Sequence, residues 1–185
     1  MRLNLGKKPF IYPQPVLIIG TYNEDGTPDA MTAAWGGVGD DTQVFLCLSP
    51  EHKTVGNILR DKQFTVSIGT LNTLAACDYV GIDTANKVKD KIKRSGLTPI
   101  KAEHVNAPIF EELPLALECE LISYEPKHCH LFGEIIATSA DETILTDGKP
   151  DPAKLKAISY SIADQSYLLV GEKVGKAFSD GLKLR

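Results

Sequence analysis

The residues best suited to chemistry in this 185-residue chain lie in one short stretch, Ser49-Pro50-Glu51-His52-Lys53-Thr54. Serine favours the N-cap of a helix and proline its first turn, so we expect a helix that begins at Ser49 and Pro50. The first N–H groups of a helix lack partners within it and attract anions. Lys53 adds a cation, Ser49 and Thr54 add hydroxyls, and His52 lies beside them. The pattern therefore predicts a phosphate-binding site.

Extended segments must position this stretch. Residues 16–22 form a dense apolar run rich in β-branched side chains, which indicates a buried strand. Residues 23–26 carry a turn signal in which Gly26 is free to take a positive φ. Residues 29–35 predict a second strand whose small side chains would let a ligand lie close to the backbone. Residues 43–49 predict a third.

The remaining chain predicts further strands with a few helices between them. The helix that begins at Ser49 and Pro50 is expected to continue through residues 55–60. Two further helices are expected at residues 71–80 and 85–94, ended by Gly81 and Gly96, with helical turns at 154–158 and 174–178. Strands are expected at residues 63–69, which alternate as a half-buried strand does, at 115–124 and 128–137 as a hairpin, and at 143–145 and 167–170. This order predicts one mainly β domain over residues 1–185, an antiparallel barrel with helical insertions.

Four motifs together resemble the flavin reductase-like, FMN-binding split-barrel family, the group that includes flavoredoxin. They are Tyr12-Pro13-Gln14-Pro15-Val16, the run from Gly26-Thr27-Pro28-Asp29 to Trp35, Ser49-Pro50 with Lys53-Thr54, and Tyr167-Leu168-Leu169-Val170-Gly171-Glu172 with Gly175 and Phe178. Each motif is short, and their order and spacing over most of the chain carry the resemblance. It implies an FMN-binding split β-barrel of Greek-key antiparallel strands, with FMN as cofactor.

The resemblance also implies where FMN would lie. It places the isoalloxazine ring along Met31, Thr32, Ala33, Ala34 and Trp35, and the phosphate at Ser49, His52, Lys53 and Thr54. Further contacts are implied at Asp78, Gly81 and Lys91, on a pair of helices that would otherwise simply cover the barrel mouth. Family members often carry serine where this chain has Ala34, so a hydroxyl contact there would be lost. Trp35 is open to a second interpretation, as a core residue.

The implied function is an FMN-dependent oxidoreductase of the flavin reductase type, and a homodimer. It would take hydride from NAD(P)H, or electrons from a small redox protein, and pass them to a small acceptor. The chain has no GxGxxG fingerprint, so nicotinamide would have to dock over the flavin. It also lacks GxSxG, HExxH and Walker motifs. Two alternatives stay open: a non-catalytic flavin-binding electron carrier, and a flavin-free dimeric interaction module.

Several other residues favour plain structural roles. The four cysteines form no CxxC pair and are expected to be buried, reduced thiols. His128-Cys129-His130 places only its two histidines on one side of a strand, so we expect a polar strand face and no metal site. Tyr160 and Tyr167 are expected in the core or at a subunit interface.

The composition of the chain argues against two kinds of partner, nucleic acids and membranes. A formal net charge of −4 argues against a nucleic-acid-binding protein, and the basic residues between Lys87 and Arg94 are expected to form a solvated helix face. No stretch approaches the roughly 18 apolar residues of a membrane-spanning helix. The basic N-terminus lacks the apolar run of a signal peptide. These features predict a cytoplasmic protein.

Overall fold

The computed structural model describes the whole chain, Met1–Arg185. Its strands are β1 (Gln14–Pro15), β2 (Leu17–Tyr22), β3 (Pro28–Ala33), β4 (Gly36–Asp40), β5 (Gln43–Cys47), β6 (Gln63–Ile68), β7 (Pro99–Lys101), β8 (Pro108–Phe110), β9 (Leu115–Glu125), β10 (His130–Ala140), β11 (Leu145–Thr146), β12 (Lys149–Pro150), β13 (Ile158–Ser161) and β14 (Ser166–Leu169). Its α-helices are α1 (Lys53–Asp61), α2 (Leu74–Ile82), α3 (Lys91–Ser95) and α4 (Pro152–Leu155). Single 3-10 turns lie at Leu71–Thr73, Glu142–Ile144 and Asp180–Leu184.

Seven strands form one curled antiparallel sheet in the order β3-β2-β6-β9-β10-β5-β4. The two edge strands, β3 and β4, follow each other in the chain with only Ala34 and Trp35 between them. The sheet is therefore a barrel split along the line between its first and last strands. The expected hairpin of β9 and β10 is its longest pair, with two register shifts along its length. A mainly β antiparallel barrel with helical insertions is confirmed.

Both faces of strand β2 are buried, which explains its continuous apolar sequence. Leu17 and Ile19 point into the barrel and belong to one core cluster, together with Val55 and Ile58 of helix α1. Ile18 points outward into a second cluster, which helices α2 and α3 cover. Both faces of strand β3 are buried in the same way. The strand is therefore held between helix α1 on one side and helices α2 and α3 on the other.

Three expectations about the helices are wrong in detail. Helix α1 begins at Lys53, because the N–H of His52 donates to the carbonyl of Ser49 and closes a turn before the helix. The long basic helix expected over residues 85–94 is reduced to Lys91–Ser95, since the preceding residues form turns. Gly96 ends it with a φ of 77°, as expected. Helix α2 continues through Gly81 to Ile82.

Other differences arise from contacts that lie far apart in sequence. Strand β6 is buried on both faces instead of one, because the Thr65 hydroxyl donates to the carbonyl of Pro108 at 2.5 Å in the hairpin of β7 and β8. Strands β1, β4, β12 and β13 were not expected. Residues 142–144 form a 3-10 turn where a strand was expected to begin, and the helical end lies at Asp180–Leu184 instead of residues 174–178. None of the helices combines the length and the apolar character needed to cross a bilayer.

Candidate functional site

A cleft of about 180 Å³ opens where the start of helix α1, the edge strand β3 and the ends of helices α2 and α3 meet. Seven of the twelve predicted site residues line it: Met31, Thr32, His52, Lys53, Thr54, Gly81 and Lys91. These residues are spread over 61 positions of the chain from first to last, so their meeting is a property of the fold. Asp29, Asp83 and Thr84 also line the cleft and were missed.

The start of helix α1 offers unpaired donors to the cleft. The carbonyl of His52 accepts the N–H groups of Val55 and Gly56, while the N–H groups of Lys53 and Thr54 have no acceptor. The Lys53 side chain forms no ion pair. Two free amides at the positive end of a nine-residue helix, with one free ammonium beside them, form a seat for an anion.

Behind this seat lies a buried polar cluster that consists of Asp29, Thr54 and Lys91. The Thr54 hydroxyl donates to Asp29 Oδ2 at 3.0 Å. Lys91 Nζ donates to the carbonyl of Ala30 at 2.6 Å and lies 3.5 Å from Asp29 Oδ1. Burial lowers the pKa of Lys91, and the charge of Asp29 opposes that shift. The cluster ties helices α1 and α3 to strand β3.

Asp29 is only 1% exposed, yet its Oδ1 accepts no hydrogen bond. A buried carboxylate oxygen normally accepts at least one donor. The charge of Lys91 is near this oxygen, but 3.5 Å is too long for a good hydrogen bond. Asp29 therefore marks the cleft as a place that can receive a donor from a ligand. The sequence signal was present, since a lone carboxylate in a strand of apolar and small residues is unusual.

Close packing of helix α2 on strand β3 forms the opposite wall. The Thr32 hydroxyl donates to the carbonyl of Cys77 in the helix. A Cβ on Gly81 would lie 3.0 Å from the Cβ of Thr32, a distance at which one of them must move. Glycine at this position thus permits the close approach of the helix to the strand.

The other five predicted residues lie outside the cleft. Ala33 is buried in the barrel core, and Ser49 lies in the turn before helix α1. Asp78 faces strand β14, where it accepts the Tyr167 hydroxyl at 2.7 Å. Ala34 and Trp35 form the link between the two edge strands. Trp35 is 50% exposed, so it is not a core residue.

The histidines near the tip of the β9–β10 hairpin pack beside each other and beside Glu125. His128 Nδ1 lies 2.5 Å from Glu125 Oε2, and the rings of His128 and His130 are 5.7 Å apart. No three His, Cys, Asp or Glu side chains come together as a metal would require. All four cysteines are free thiols, two buried and two half-buried. Burial raises the pKa of Cys119 to about 12, so this thiol is a poor nucleophile.

Known structures with the same fold include two flavoredoxins. That of Desulfovibrio vulgaris (Miyazaki F) is 35% identical with a TM-score of 0.94, covering 98% of this chain and 100% of that chain. That of Methanosarcina acetivorans is 28% identical with a TM-score of 0.89, covering both chains completely. An FMN-binding domain of a flavin reductases-like enzyme from Shewanella baltica OS155 is 21% identical, with a TM-score of 0.77 over 88% of this chain and 89% of that chain, and shows the fold alone.

A comparison with curated proteins found no match. The family model described as the flavin reductase like domain matches residues 10–152, which contain the cleft, the split barrel and helices α1 to α3. Together with the flavoredoxin of Desulfovibrio vulgaris, which is similar over nearly the whole chain, this match shows that the chain belongs to the flavin reductase-like domain family.

Proposed function

We propose that this protein is an FMN-binding oxidoreductase of the flavin reductase type, which passes hydride or electrons through FMN to a small acceptor. The observation that carries the proposal is the anion seat at the start of helix α1, with two free amides and the unpaired Lys53. Family membership supports a flavin as the ligand, and FMN is our proposal for it. The chain supplies no nucleophile or catalytic dyad at the cleft, which suits a reaction carried by a cofactor.

The residues of the cleft fit the phosphate end of FMN, although not in the way the sequence suggested. The Thr54 hydroxyl already donates to Asp29, so it has no proton left for a phosphate oxygen. Ser49 lies outside the cleft. The phosphate donors are therefore the amides of Lys53 and Thr54 and the Lys53 ammonium, with His52 at the rim. We infer that Asp29 Oδ1, which is buried without a donor in this chain, accepts a hydroxyl of the ribityl chain.

The cleft of one chain is too small for the whole cofactor. Its volume of about 180 Å³ is below the ~300 Å³ at which small-molecule sites usually begin. The isoalloxazine ring would then lie beyond the cleft, along the end of strand β3 toward the exposed Trp35. When bound, FMN accepts a hydride or two electrons and releases them to the acceptor, and this chain holds and orients it.

We also propose a homodimer, as expected from the resemblance. Large apolar side chains remain exposed in the N-terminal segment, at Trp35 and strand β4, and from strand β14 to the C-terminus: Leu3, Leu5, Phe10, Ile11, Trp35, Val38, Leu168, Leu169, Val174, Phe178, Leu182 and Leu184. Contiguous exposed apolar patches mark interaction surfaces, and we infer that these residues contribute to one. A second copy would cover them and enclose the flavin ring. Light scattering after size exclusion tests this, and a monomer at micromolar concentration contradicts it.

The test of the phosphate seat compares two flavins that differ only in the phosphate. FMN and riboflavin are titrated into the wild type, Lys53→Ala and the control Lys127→Ala, which removes an exposed lysine that does not line the cleft. Losing a charged hydrogen bond of about 1.5–3 kcal/mol weakens FMN binding by about ten- to a hundredfold. Riboflavin binding should not change.

Each outcome of this titration has a distinct meaning. If Lys53→Ala weakens the binding of FMN and riboflavin equally, the phosphate does not bind at the start of helix α1. Absence of any flavin spectrum between about 300 and 550 nm after FMN addition and desalting would contradict FMN binding and favour a flavin-free dimeric module.

A second candidate is a flavin-binding electron carrier of the flavoredoxin type. The 35% identity to a flavoredoxin over 98% of the chain favours it. Turnover separates the two candidates. Steady NAD(P)H oxidation with free flavin or a ferric acceptor supports the reductase, and FMN that is reduced only by a protein donor supports the carrier.

A further inference from the structure

Two of the four cysteines come together at the tip of the β9–β10 hairpin. Cys47 is the last residue of strand β5, and its register partner in strand β10 is His130. Cys129 directly precedes His130, and its carbonyl accepts the N–H of Leu48 at 2.8 Å, which extends the pairing of the two strands by one residue. Cys47 and Cys129 are therefore diagonal neighbours across a strand pair, although they lie far apart in the chain.

The separation of the two backbone segments suits a disulfide. Paired strands lie about 4.8 Å apart and rise about 3.4 Å per residue, so diagonal neighbours have Cα atoms about 6 Å apart. Disulfides join residues whose Cα atoms are about 4.4–6.8 Å apart. The backbone separation of this pair therefore falls within the range that a disulfide bridges.

The side chain of Cys129 is released from the alternation of the strand. In a regular strand, Cys129 and Cys47 would point to opposite faces of the sheet. Cys129 instead has a φ of 60°, in the left-handed region, and ends the turn of residues 126–129. Its Sγ lies 3.8 Å from the carbonyl oxygen of Pro126, and the Sγ of Cys47 lies 4.0 Å from the carbonyl oxygen of His128. Both sulfur atoms therefore contact the same four-residue turn.

The surroundings of the two thiols agree with this proximity. Burial raises the pKa of the Cys47 thiol, and a charge on Cys129 raises it further. Burial also raises the pKa of Tyr124, and charges on both of these cysteines add to that shift. Cys47 and Cys129 are only half-buried, whereas Cys77 and Cys119 are enclosed in the core. A small reagent therefore has access to this pair and not to the other two thiols.

We propose that Cys47 and Cys129 form a reversible disulfide, which makes the hairpin tip a second redox site that small disulfide compounds oxidise. The thiolate of one cysteine attacks the small disulfide, forms a mixed disulfide and releases one thiol. The other cysteine then attacks the mixed disulfide and releases the second thiol. The cysteine pair loses two electrons and two protons, and the small disulfide gains them as it becomes two thiols. This inference goes beyond the proposed function and requires no flavin.

The site adjoins both parts of the proposed flavin site. The N–H of Cys47 donates to the carbonyl of Trp35 at 2.8 Å, and the chain runs from Cys47 through the turn at Ser49 to Lys53 at the start of helix α1. A disulfide would fasten this segment to the hairpin tip. Exposed disulfides are the ones most readily reduced, so the bond would act as a reversible lock on the segment that leads to the anion seat.

The experiment exposes the reduced, folded protein to oxidised glutathione and maps the products by mass spectrometry. The remaining thiols are alkylated before digestion. Trypsin cleaves at lysines that lie between the cysteines, so each of the four cysteines is in a different peptide. We expect one product, in which the Cys47 peptide is joined to the Cys129 peptide, with the two buried cysteines unmodified. Dithiothreitol should reverse the link completely.

Two variants make the assignment specific. In the wild type, the linked form should exceed the mixed disulfide at least about tenfold, because the fold holds the second thiol beside the first at a high effective concentration. In Cys129→Ser the linked peptides should disappear, and Cys47 should retain one glutathione instead. The control Cys77→Ser changes a cysteine of helix α2 and should form the link as the wild type does.

Three results would overturn the proposal. One is a wild type that retains glutathione separately on Cys47 and on Cys129, which would show that the two sulfur atoms do not meet. Another is an absence of any reaction at these two cysteines. The third is a link that non-reducing electrophoresis finds between two chains, since that bond would be intermolecular. A failure of FMN to bind would contradict the proposed function and leave all of these results unaffected.

Discussion

Two buried carboxylates on different strands of the barrel have different hydrogen-bond environments. Glu118 in strand β9 is 2% exposed and Asp29 in strand β3 is 1% exposed. Glu118 has donors for both oxygens: the N–H groups of His104 and Val105 lie 2.6 and 3.1 Å from Oε2, and that of Glu103 lies 3.4 Å from Oε1. Asp29 leaves one oxygen without a donor, beside a cleft.

The difference shows how to separate structure from function among buried charges. Every donor that Glu118 needs is supplied by the loop between strands β7 and β8, so its role is complete once the chain has folded. Asp29 keeps one oxygen without a donor, which carries a stability cost. Under the proposed function, a ligand in the cleft would supply the missing donor.

The largest effect on stability is expected from a substitution that removes the ion-pair partner of Asp29. Lys91→Met removes the only cation that forms an ion pair with Asp29 and leaves a buried charge unpaired, so the free energy of unfolding should fall by about 3–5 kcal/mol. Urea denaturation measures it. The double variant Asp29→Asn/Lys91→Met removes both charges and should recover much of the loss. Equal stability of Lys91→Met and wild type would show that the pair is solvated.

Replacing each carboxylate with the corresponding amide tests the contrast between Glu118 and Asp29 directly. Glu118→Gln points an NH₂ group at backbone donors, so the free energy of unfolding should fall by about 1–3 kcal/mol while FMN affinity stays constant. Asp29→Asn should instead weaken FMN binding by about tenfold, which corresponds to about 1.4 kcal/mol. Chemical denaturation and flavin titration are run on both variants. If Glu118→Gln weakens FMN binding and Asp29→Asn does not, our distinction between a structural and a ligand-binding carboxylate is wrong.

The pH dependence of stability should report on Glu118. Burial alone would raise the pKa of Glu118, but the hydrogen bonds from His104, Glu103 and Val105 outweigh it and hold the pKa below its usual value of 4.5. The carboxylate therefore contributes stability that is complete above pH 4.5 and is lost as pH falls through the lower, folded-state pKa. Wild-type stability should approach that of Glu118→Gln in that acidic window. A constant difference down to pH ~2 would contradict this.

The smallest effect concerns the wall of the cleft. Gly81→Ala adds a Cβ at 3.0 Å from Thr32, whereas Gly56→Ala in helix α1 meets nothing within 4 Å. Alanine favours a helix interior over glycine by about 1 kcal/mol. Gly56→Ala should therefore raise the melting temperature and leave FMN affinity unchanged. Gly81→Ala should gain little stability and weaken FMN binding several-fold. Identical behaviour of the two variants would exclude a role of Gly81 in shaping the cleft.

The sequence alone determined the local elements. Apolar runs in β2 and β5, the turn with Gly26 at a φ of 78°, and the hairpin of β9 and β10 all follow from side-chain period and turn chemistry. Order and spacing of motifs identified the family, and with it seven residues that line one cleft. These features depend on neighbours in the chain, which a sequence displays.

Only the tertiary structure decided how those residues are used. Thr54 was expected to bind phosphate, but its proton is committed to Asp29, 25 positions away. Lys91 was expected on a helix ten residues long, but a helix of five residues carries it into a buried pair. Hydrogen bonds and burial between distant segments fix which donors remain free, because each proton can serve only one acceptor well. That allocation is made in three dimensions, and no local pattern contains it.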